Sequence, residues 1–378
     1  MRAALGMSPP ERRIGQTAHD FWMACGASGI MLTRARKRGG SPTTPSRFLQ
    51  RIGALAGDAL DPARMRGDAL LRLARRLDTP DHTTPARAPT PRPAVAMRPE
   101  RLSVTRIEKW IRDPYSIYAE QILRLYPLDA LDQPPGFAEQ GTALHGAIEW
   151  ATKRFGTAPP PSDALRDLVT EADRLLAAMH EDPSWRAFRR PRQMAGLAYF
   201  LAYHRDRQPA LDKLFAEIRG EWPFTLDDGS TFTLTGEADR IEIDRNGAIR
   251  ILDFKTGSPP SNAEIDANLA PQLTLEAAMV EAGAFPDVPS RRVAEAFYMK
   301  LGSRQGGETR PVTFRSHSLH DVVERHAVLL RDLVEKFRKA DQPYHSRPIA
   351  KHALRYADYD HLARVKEWSA TSGLGDET

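Results

Sequence analysis

The stretch of residues 231–257 restricts the possible folds of this chain more than any other part of the sequence. It reads TFTLTGEADRIEIDRNGAIRILDFKTG, with apolar and polar side chains alternating before and after a turn. Such alternation around an Asn-Gly pair is a strong local signal for a β-hairpin. We therefore predict two antiparallel strands, at about residues 231–243 and 248–254, joined by the loop Asp244-Arg245-Asn246-Gly247.

The hairpin carries charged side chains inside a run that is otherwise apolar. Because side chains of a strand alternate between its faces, Asp253 and Lys255 share one face, about 6.5–7 Å apart, and Leu252 and Phe254 point into a core. Asp239 on the neighbouring strand can reach the same side. An isolated Asp-x-Lys is usually only solvated, but two carboxylates beside an ammonium group are typical of a site for a hard divalent cation.

Composition narrows the classes of protein that fit. The chain has 378 residues and a net charge of +5, which permits a nucleic-acid partner without requiring one. Cys25 is the only cysteine, which excludes a disulfide and any metal site built from cysteines alone. No apolar run approaches the roughly 18–20 residues that span a membrane, and the N-terminus has no long apolar signal region. We therefore expect a cytoplasmic protein.

Residues 1–77 form the first of three predicted regions. A helix is predicted to begin near Ser8, and a short apolar strand from Ile30 to run into a basic cluster, which composition alone would place on a solvated surface. Phe48–Leu77 reads as two amphipathic helices. Because these elements offer too little apolar surface for a confident core of their own, this region is not expected to be an independent domain.

Residues 78–100 form a proline-rich linker, and residues 101–378 form the globular part of the chain. Six prolines fall in the linker with almost no large apolar side chains between them, so we predict an extended segment. The globular part is predicted to be α/β, with a mixed sheet flanked by helices. Its predicted helices lie at about residues 103–112, 115–125, 139–155, 162–179, 194–218, 272–282 and 319–339. Its predicted strands include the hairpin, a segment beginning near residue 217 and another at residues 293–301.

Four short segments in this order resemble the PD-(D/E)XK nuclease superfamily. They are Gln140-Gly141-Thr142-Ala143-Leu144-His145, Gly236-Glu237-Ala238-Asp239-Arg240, Leu252-Asp253-Phe254-Lys255-Thr256-Gly257 and Pro271-Gln272-Leu273. The resemblance runs from about residue 102 to 368. It is closest to the RecB-type branch, and within it to the C-terminal nuclease domain of AddB-type subunits of bacterial helicase–nucleases. The implied fold is a restriction-endonuclease-like core with added helices at both ends.

The resemblance implies a role for each matching residue. His145, Asp239, Asp253 and the main-chain carbonyl of Phe254 would be ligands of Mg²⁺, with Mn²⁺ as an alternative. Lys255 would orient the attacking water and stabilise charge on the scissile phosphate, which is the chemistry that phosphodiester hydrolysis requires. Gln272 matches the first residue of a Gln-x-x-x-Tyr signature that contacts DNA. The resemblance therefore implies a DNA contact for Gln272. Glu276 stands at the tyrosine position of that signature, which leaves the role of this position open.

The chain departs from the family at a second place. Many AddB proteins hold an iron–sulfur cluster through one cysteine before the nuclease core and three after it, and the corresponding positions are Asp113, Leu354, Ala357 and Ala363. We therefore expect no iron–sulfur cluster. The C-terminal segment is instead expected to pack on the preceding helices through apolar and aromatic side chains, namely Tyr356, Tyr359, Leu362 and Trp368.

The first region has a resemblance of its own. Leu32-Thr33-Arg34-Ala35-Arg36 is similar to the last motif of superfamily 1 helicase folds, in which an arginine faces nucleotide phosphates. The sequence contains no G-x-x-x-x-G-K-[ST] loop, so we expect no ATP site in this chain. Residues 1–77 are interpreted as the remnant end of a helicase-like region, and the whole chain as the C-terminal part of an AddB-like subunit.

The resulting hypothesis is a Mg²⁺-dependent DNA nuclease that cuts single strands exposed during the resection of double-strand breaks. The resemblance implies an AddA-like helicase–nuclease subunit as its partner in recombinational repair. Two alternatives remain open. One is a DNA-binding scaffold that no longer cleaves DNA. The clustered carboxylates argue against this alternative, because their mutual repulsion lowers stability without a cation. The other is a stand-alone RecB-like exonuclease.

Overall fold

A computed structural model of the chain describes residues 10–82, 84–128, 131, 136–180, 182–303, 306–352 and 357–372. The chain divides into two compact units, Met1–Pro85 and Ala86–Thr378. None of the described helices is long and apolar enough to cross a membrane.

The first unit consists of short elements with little buried surface. Its elements are α1 (Pro10–Ala24), β1 (Lys37–Arg38), β2 (Ser41–Pro42), α2 (Arg47–Ala56) and α3 (Asp61–Asp78). Neither α2 nor α3 has a buried residue, although Phe21 and Phe48 stack with ring centres 4.8 Å apart. The predicted strand at Ile30 was wrong. Ile30, Met31 and Leu32 are exposed and irregular, because no described strand pairs with them.

The second unit is built around a six-stranded mixed sheet, which confirms the predicted α/β class. Its strands are β3 (Arg101–Ser103), β4 (Leu211–Thr225), β5 (Thr231–Asp244), β6 (Ile249–Lys255), β7 (Val293–Ser303) and β8 (Gly306–Pro311). The strand order is β3-β5-β6-β7-β8, and β4 pairs with β5 from the other side. The β5–β6 hairpin matches the predicted strands to within a residue at each end.

Helices cover both faces of this sheet. They are α4 (Val104–Arg112), α5 (Pro114–Ile117), α6 (Phe137–Phe155), α7 (Ala164–Leu175), α8 (Arg190–Arg207), α9 (Asn262–Asp266), α10 (Gln272–Glu281), α11 (Leu319–Arg338) and α12 (Val365–Ser372). One core lies between the sheet and α4, α10 and α11, and a second lies between the sheet and α6, α7 and α8. Ile251 points into the first core, and Leu252 and Phe254 point into the second.

One predicted helix was too long. The helix expected at residues 194–218 ends at Arg207, and β4 begins at Leu211 rather than near residue 217. The sequence after Arg207 contains Pro209, which lies in a short 3-10 turn and cannot continue the helical hydrogen bonding. The following residues pair with β5 along its whole length, from Leu211 opposite Asp244 onward, and this cross-strand pairing decides their structure.

The path of β5 creates a fork in the sheet, and this fork positions the functional residues. One side of β5 pairs with β4 throughout, but its other side is shared by two strands. Residues 233–235 pair in parallel with β3, and residues 240–243 pair antiparallel with β6. Residues 236–239 have no partner on that side among the described strands. A cleft of about 530 Å³ opens where β3 and β6 separate.

The C-terminal segment packs on the helices that follow β3. Tyr359, Ala363 and Val365 form a small core with Tyr115 and Ala119, and the partly buried Trp368 packs against it. The predicted contacts of Tyr359 and Trp368 are therefore present, whereas Leu362 is exposed and Tyr356 and Leu354 lie outside the described residues.

Two of the positions that the resemblance aligns with cluster cysteines of AddB proteins are buried and have other neighbours in this chain. Ala363 packs in the small apolar core. Asp113 accepts hydrogen bonds from the Ser116 hydroxyl and from the main-chain N–H of Arg347. Ala357 is partly exposed.

Candidate active site

Asp239 lies at the fork, at the last position of β5 before pairing with β6 begins. Its side chain is 12% exposed, and its Oδ2 accepts a hydrogen bond of 2.7 Å from the main-chain N–H of Phe254. Phe254 lies past the last residue of β6 that pairs with β5, so this bond connects the two strands where their ladder has ended. Burial, together with the nearby carboxylate of Asp253, raises the pKa of Asp239 to about 8. The carboxyl group thus binds a proton in the absence of a cation.

The His145 side chain approaches Asp239 from the helical layer beside the sheet. It projects from α6, and its Nδ1 lies 3.6 Å from Oδ2 of Asp239. Its ring meets the Phe254 ring edge-on, with centres 6.0 Å apart. Burial lowers the pKa of His145, although Asp253 opposes the shift. A neutral imidazole with a free lone pair is the form that binds a metal ion.

Glu217 is the third member of this group, and the sequence analysis missed it. One ligand atom each from His145, Glu217 and Asp239 lie within 4.8 Å of one another. Ala216 pairs with Arg240 and Ile218 with Ala238, so Glu217 stands directly opposite Asp239. The place of Glu217 opposite Asp239 could have been predicted only by counting the residue pairs of β4 and β5 back from the turn between them.

The backbone of Glu217 is also unusual. Its φ is +48°, in the left-handed region that residues other than glycine rarely adopt within a strand. Such conformations cost about 1–3 kcal/mol and cluster at functional sites. Burial, together with the nearby Glu237, raises the pKa of Glu217 to about 7. Residue 217 therefore combines a strained backbone with a carboxyl group that loses its proton only at a higher pH than a free glutamate does.

Asp253 and Lys255 lie beside this group and are bound to each other. Nζ of Lys255 is 2.7 Å from Oδ2 of Asp253, while Oδ1 accepts a 2.6 Å hydrogen bond from Nε2 of Gln272. Lys255 also donates to Oε1 of Gln272 at 3.2 Å. Burial disfavours the charge of Lys255, but Asp253 outweighs it and keeps the pKa of Lys255 above its usual range. Lys255 is therefore a cation at neutral pH.

The structure brings most of the predicted site residues into one cleft. His145, Asp239, Asp253, Lys255 and Gln272 all line it, together with Glu217. The Phe254 side chain is buried in the core beside α6 and not in the cleft, and the ligand role of its carbonyl stays a prediction. Glu276 is buried next to Gln272 and does not line the cleft.

The donors present fit a divalent cation of the Mg²⁺ or Mn²⁺ kind. Carboxylate oxygens are the ligands that both ions prefer, and a neutral imidazole is compatible with Mn²⁺ in particular. The fit shows in the raised pKa values of Asp239 and Glu217, because two partly buried carboxyl groups that repel each other's charge lower their energy by sharing a cation. His145, Asp239 and Glu217 would hold such an ion, with Asp253 adjacent.

Comparison with known proteins identifies the class to which this fold and cleft belong. The model of the PD-(D/E)XK nuclease superfamily matches residues 101–353, well over half of the chain. The chain therefore belongs to the PD-(D/E)XK nuclease superfamily. Members of this superfamily are generally nucleases or related hydrolases, and they typically use divalent metal ions, so the family indicates a nuclease.

Individual relatives add little about function. An uncharacterized protein of Rickettsia bellii is 31% identical over 191 residues, which are 50% of this chain and 22% of that protein. An uncharacterized protein of Rickettsia typhi is 30% identical over 190 residues, with the same coverage of 50% and 22%. The chain thus spans about a fifth of the length of these curated relatives. The crystal structure of SSO0001 covers 71% of this chain and 85% of its own, with 12% identity and a TM-score of 0.26, too low to support an argument.

Proposed function

We propose that this protein is a deoxyribonuclease that hydrolyses phosphodiester bonds with Mg²⁺, or with Mn²⁺ in its place. The observation that carries the proposal is the grouping of His145, Glu217 and Asp239 within 4.8 Å, in a cleft that Lys255 also lines. A non-catalytic DNA-binding fold has no physical need for partly buried carboxyl groups at this spacing, because their repulsion lowers stability unless a cation binds between them.

Each residue has a distinct task in this proposal. When bound, the cation supplies an activated water and stabilises the negative charge that develops on the phosphate. Asp239 and Glu217 provide carboxylate oxygens after losing their protons, and the neutral ring of His145 provides a nitrogen. Lys255 holds a positive charge next to the phosphate position and can donate a hydrogen bond to it. Gln272 keeps both Lys255 and Asp253 in place.

The charge of the cleft indicates how a bound cation would help an anionic substrate to bind. Its lining carries five carboxylates, Glu217, Glu221, Glu237, Asp239 and Asp253, but only three cationic side chains, Arg101, Arg219 and Lys255. Arg101 pairs with Glu221, and Arg219 lies 3.0 Å from Glu237. Because Asp239 and Glu217 hold protons when no cation is bound, the metal-free cleft has no excess of positive charge to attract a DNA backbone, and a divalent cation would supply it.

The resemblance to AddB-type subunits supports a cellular role for this protein. We propose an AddB-type nuclease domain, acting as an exonuclease on single strands at resected ends during double-strand break repair and recombination. Its partner would be an AddA-like helicase–nuclease subunit in the cytoplasm. The proposed organisation is a remnant helicase-like end at residues 1–77, a linker at 78–100 and the nuclease domain at 101–378. ATP and an iron–sulfur cluster have no place in this chain's chemistry under the proposal.

Degradation of an end-labelled single-stranded DNA tests the proposal. We expect cutting with Mg²⁺ or Mn²⁺, none with EDTA, and a loss of about 10²-fold or more in Lys255→Ala, since removing one group that stabilises transition-state charge costs that much. Lys336→Ala, on the exposed side of α11, is the matched control and should cut normally. A folded, DNA-binding protein that cuts in neither metal would contradict the proposal and favour a scaffold.

A further inference from the structure

Glu276 is an acidic residue buried next to Gln272, and it has no part in the chemistry proposed for the cleft. It lies one helical turn after Gln272 on α10, so the two side chains share a face. Its side chain is almost fully buried, and its Oε1 lies 3.2 Å from Nε2 of Gln272. Its Oε2 is also buried and has no hydrogen-bond partner among the described residues.

The side-chain amide of Gln272 can work in only one orientation. Lys255 can donate hydrogen bonds but not accept them, so the group 3.2 Å from its Nζ must be the oxygen of Gln272. The nitrogen then faces Asp253 Oδ1 at 2.6 Å and Glu276 Oε1 at 3.2 Å. Both N–H groups of the amide therefore have acceptors. A rotation by 180° would place the amide nitrogen against the ammonium group and the oxygen against two other oxygens.

We propose that Glu276 is a positioning residue, which locks the side-chain amide of Gln272 and thereby fixes the ammonium group of Lys255 in the cleft. Lys255 is then confined on three sides. Asp253 forms an ion pair with Nζ at 2.7 Å, the oxygen of Gln272 accepts its hydrogen bond, and the centre of the Tyr298 ring lies 5.8 Å from Nζ. This inference rests on the proposed function in one respect, the role of Lys255 in cleavage.

The chemistry of Glu276 suits this task when its carboxyl group is neutral. Burial, followed by the nearby charges of Asp253 and Asp239, raises the pKa of Glu276 well above its usual range. A neutral carboxyl group accepts through its carbonyl oxygen and adds no third charge to this part of the protein. An apolar side chain would leave one N–H of Gln272 buried without an acceptor, and the amide would be free to turn.

Two variants separate positioning from simple packing. Glu276→Leu keeps the volume but removes the acceptor, whereas Glu276→Gln keeps an acceptor oxygen at the same place. Thr274→Val is the matched control, because Thr274 is equally buried on α10 but its hydroxyl bonds to Pro271 and His326 rather than to the cleft. We would measure kcat and KM for single-stranded DNA, thermal unfolding, and the NMR signal of the Gln272 side-chain amide in the full chain.

We expect Glu276→Leu to lower kcat about tenfold to a hundredfold with KM nearly unchanged, since misplacing a catalytic group by about 1 Å costs that much. Glu276→Gln should have a kcat within about threefold of the wild-type value. Thr274→Val should keep the wild-type kcat although it loses about as much thermal stability as Glu276→Leu. The Gln272 amide signal should be sharp in the wild type and in Glu276→Gln, and averaged in Glu276→Leu.

Wild-type kcat in Glu276→Leu, or an equal loss in Thr274→Val, would overturn the inference. The amide signal does not depend on cleavage. If the wild-type protein cuts no DNA, the proposed function fails, and the signal still decides whether Glu276 orders Gln272. An amide that stays ordered in Glu276→Leu would refute that ordering directly.

Discussion

The carboxyl groups of Asp239 and Glu217 hold their protons more tightly than free side chains do, and this has a consequence for metal binding. Their pKa values are raised to about 8 and about 7. A cation that binds to both must displace these protons at or below neutral pH. We therefore expect the apparent affinity for Mn²⁺ to rise between pH 6 and pH 8 and to level off above about pH 8.

Calorimetric titration with Mn²⁺ in two buffers of different ionisation heat measures the protons released. Glu217→Gln should release fewer protons and bind Mn²⁺ more weakly, about tenfold or more by comparison with the effect of residues that only support metal ligands. Glu221→Gln is its matched control, because Glu221 lines the same cleft but pairs with Arg101. An affinity that does not change with pH would show that these carboxyl groups are not the ligands.

The same raised pKa affects stability in the metal-free protein. Between about pH 4 and pH 8, the folded state keeps a proton on Asp239 that the unfolded state has lost, so the folded state binds more protons. The contribution of Asp239 to the free energy of unfolding therefore falls as pH rises through this window. It is greatest below the unfolded pKa, and Mn²⁺ should remove the pH dependence.

At the scale of the elements, the side chain of Arg98 binds the segment before β3 to the rest of the second unit. Arg98 is 3% exposed, and its guanidinium donates to the carbonyl groups of Pro93, Phe337, Lys339 and Ala340. It thus ties the proline-rich segment to the end of α11. The sequence pattern gave no sign of this, because an arginine among prolines is usually solvated.

We expect Arg98→Leu to lower the free energy of unfolding by roughly 2–4 kcal/mol, since it leaves several buried carbonyl groups without donors. Arg92→Leu is the matched control, because Arg92 lies exposed in the same segment. Urea unfolding followed by circular dichroism would measure both. Equal midpoints for the two variants would show that the segment does not depend on Arg98.

Local signals predicted some elements and not others. The β5–β6 hairpin was predicted because alternation and an Asn-Gly turn lie within a few residues of each other. The start of β4 was missed because its residues 211–218, LDKLFAEI, also suit a helix, and only pairing with β5 decides between them. Glu217 was missed for the same reason, since its place opposite Asp239 is a property of the register.

At the scale of the whole molecule, the second unit contains everything that the proposed chemistry uses. Every residue of the described cores and of the cleft lies after Pro85, whereas the described part of the first unit has no such core. We therefore expect a shortened chain of residues 86–378 to unfold at the same temperature as the second unit of the full chain. It should also cut DNA with the same metal dependence.

The residue at which the shortened chain begins matters, because we expect only the second half of the proline-rich segment to belong to the nuclease domain. A chain of residues 101–378 begins where the sequence analysis placed the nuclease domain, but it lacks Arg98 and the carbonyl of Pro91 that accepts from the N–H of Tyr344. It should therefore unfold several degrees below the 86–378 chain, by about 2–4 °C per kcal/mol lost. Identical melting temperatures would place the boundary at residue 101, whereas a difference would assign the second half of the proline-rich segment to the nuclease domain.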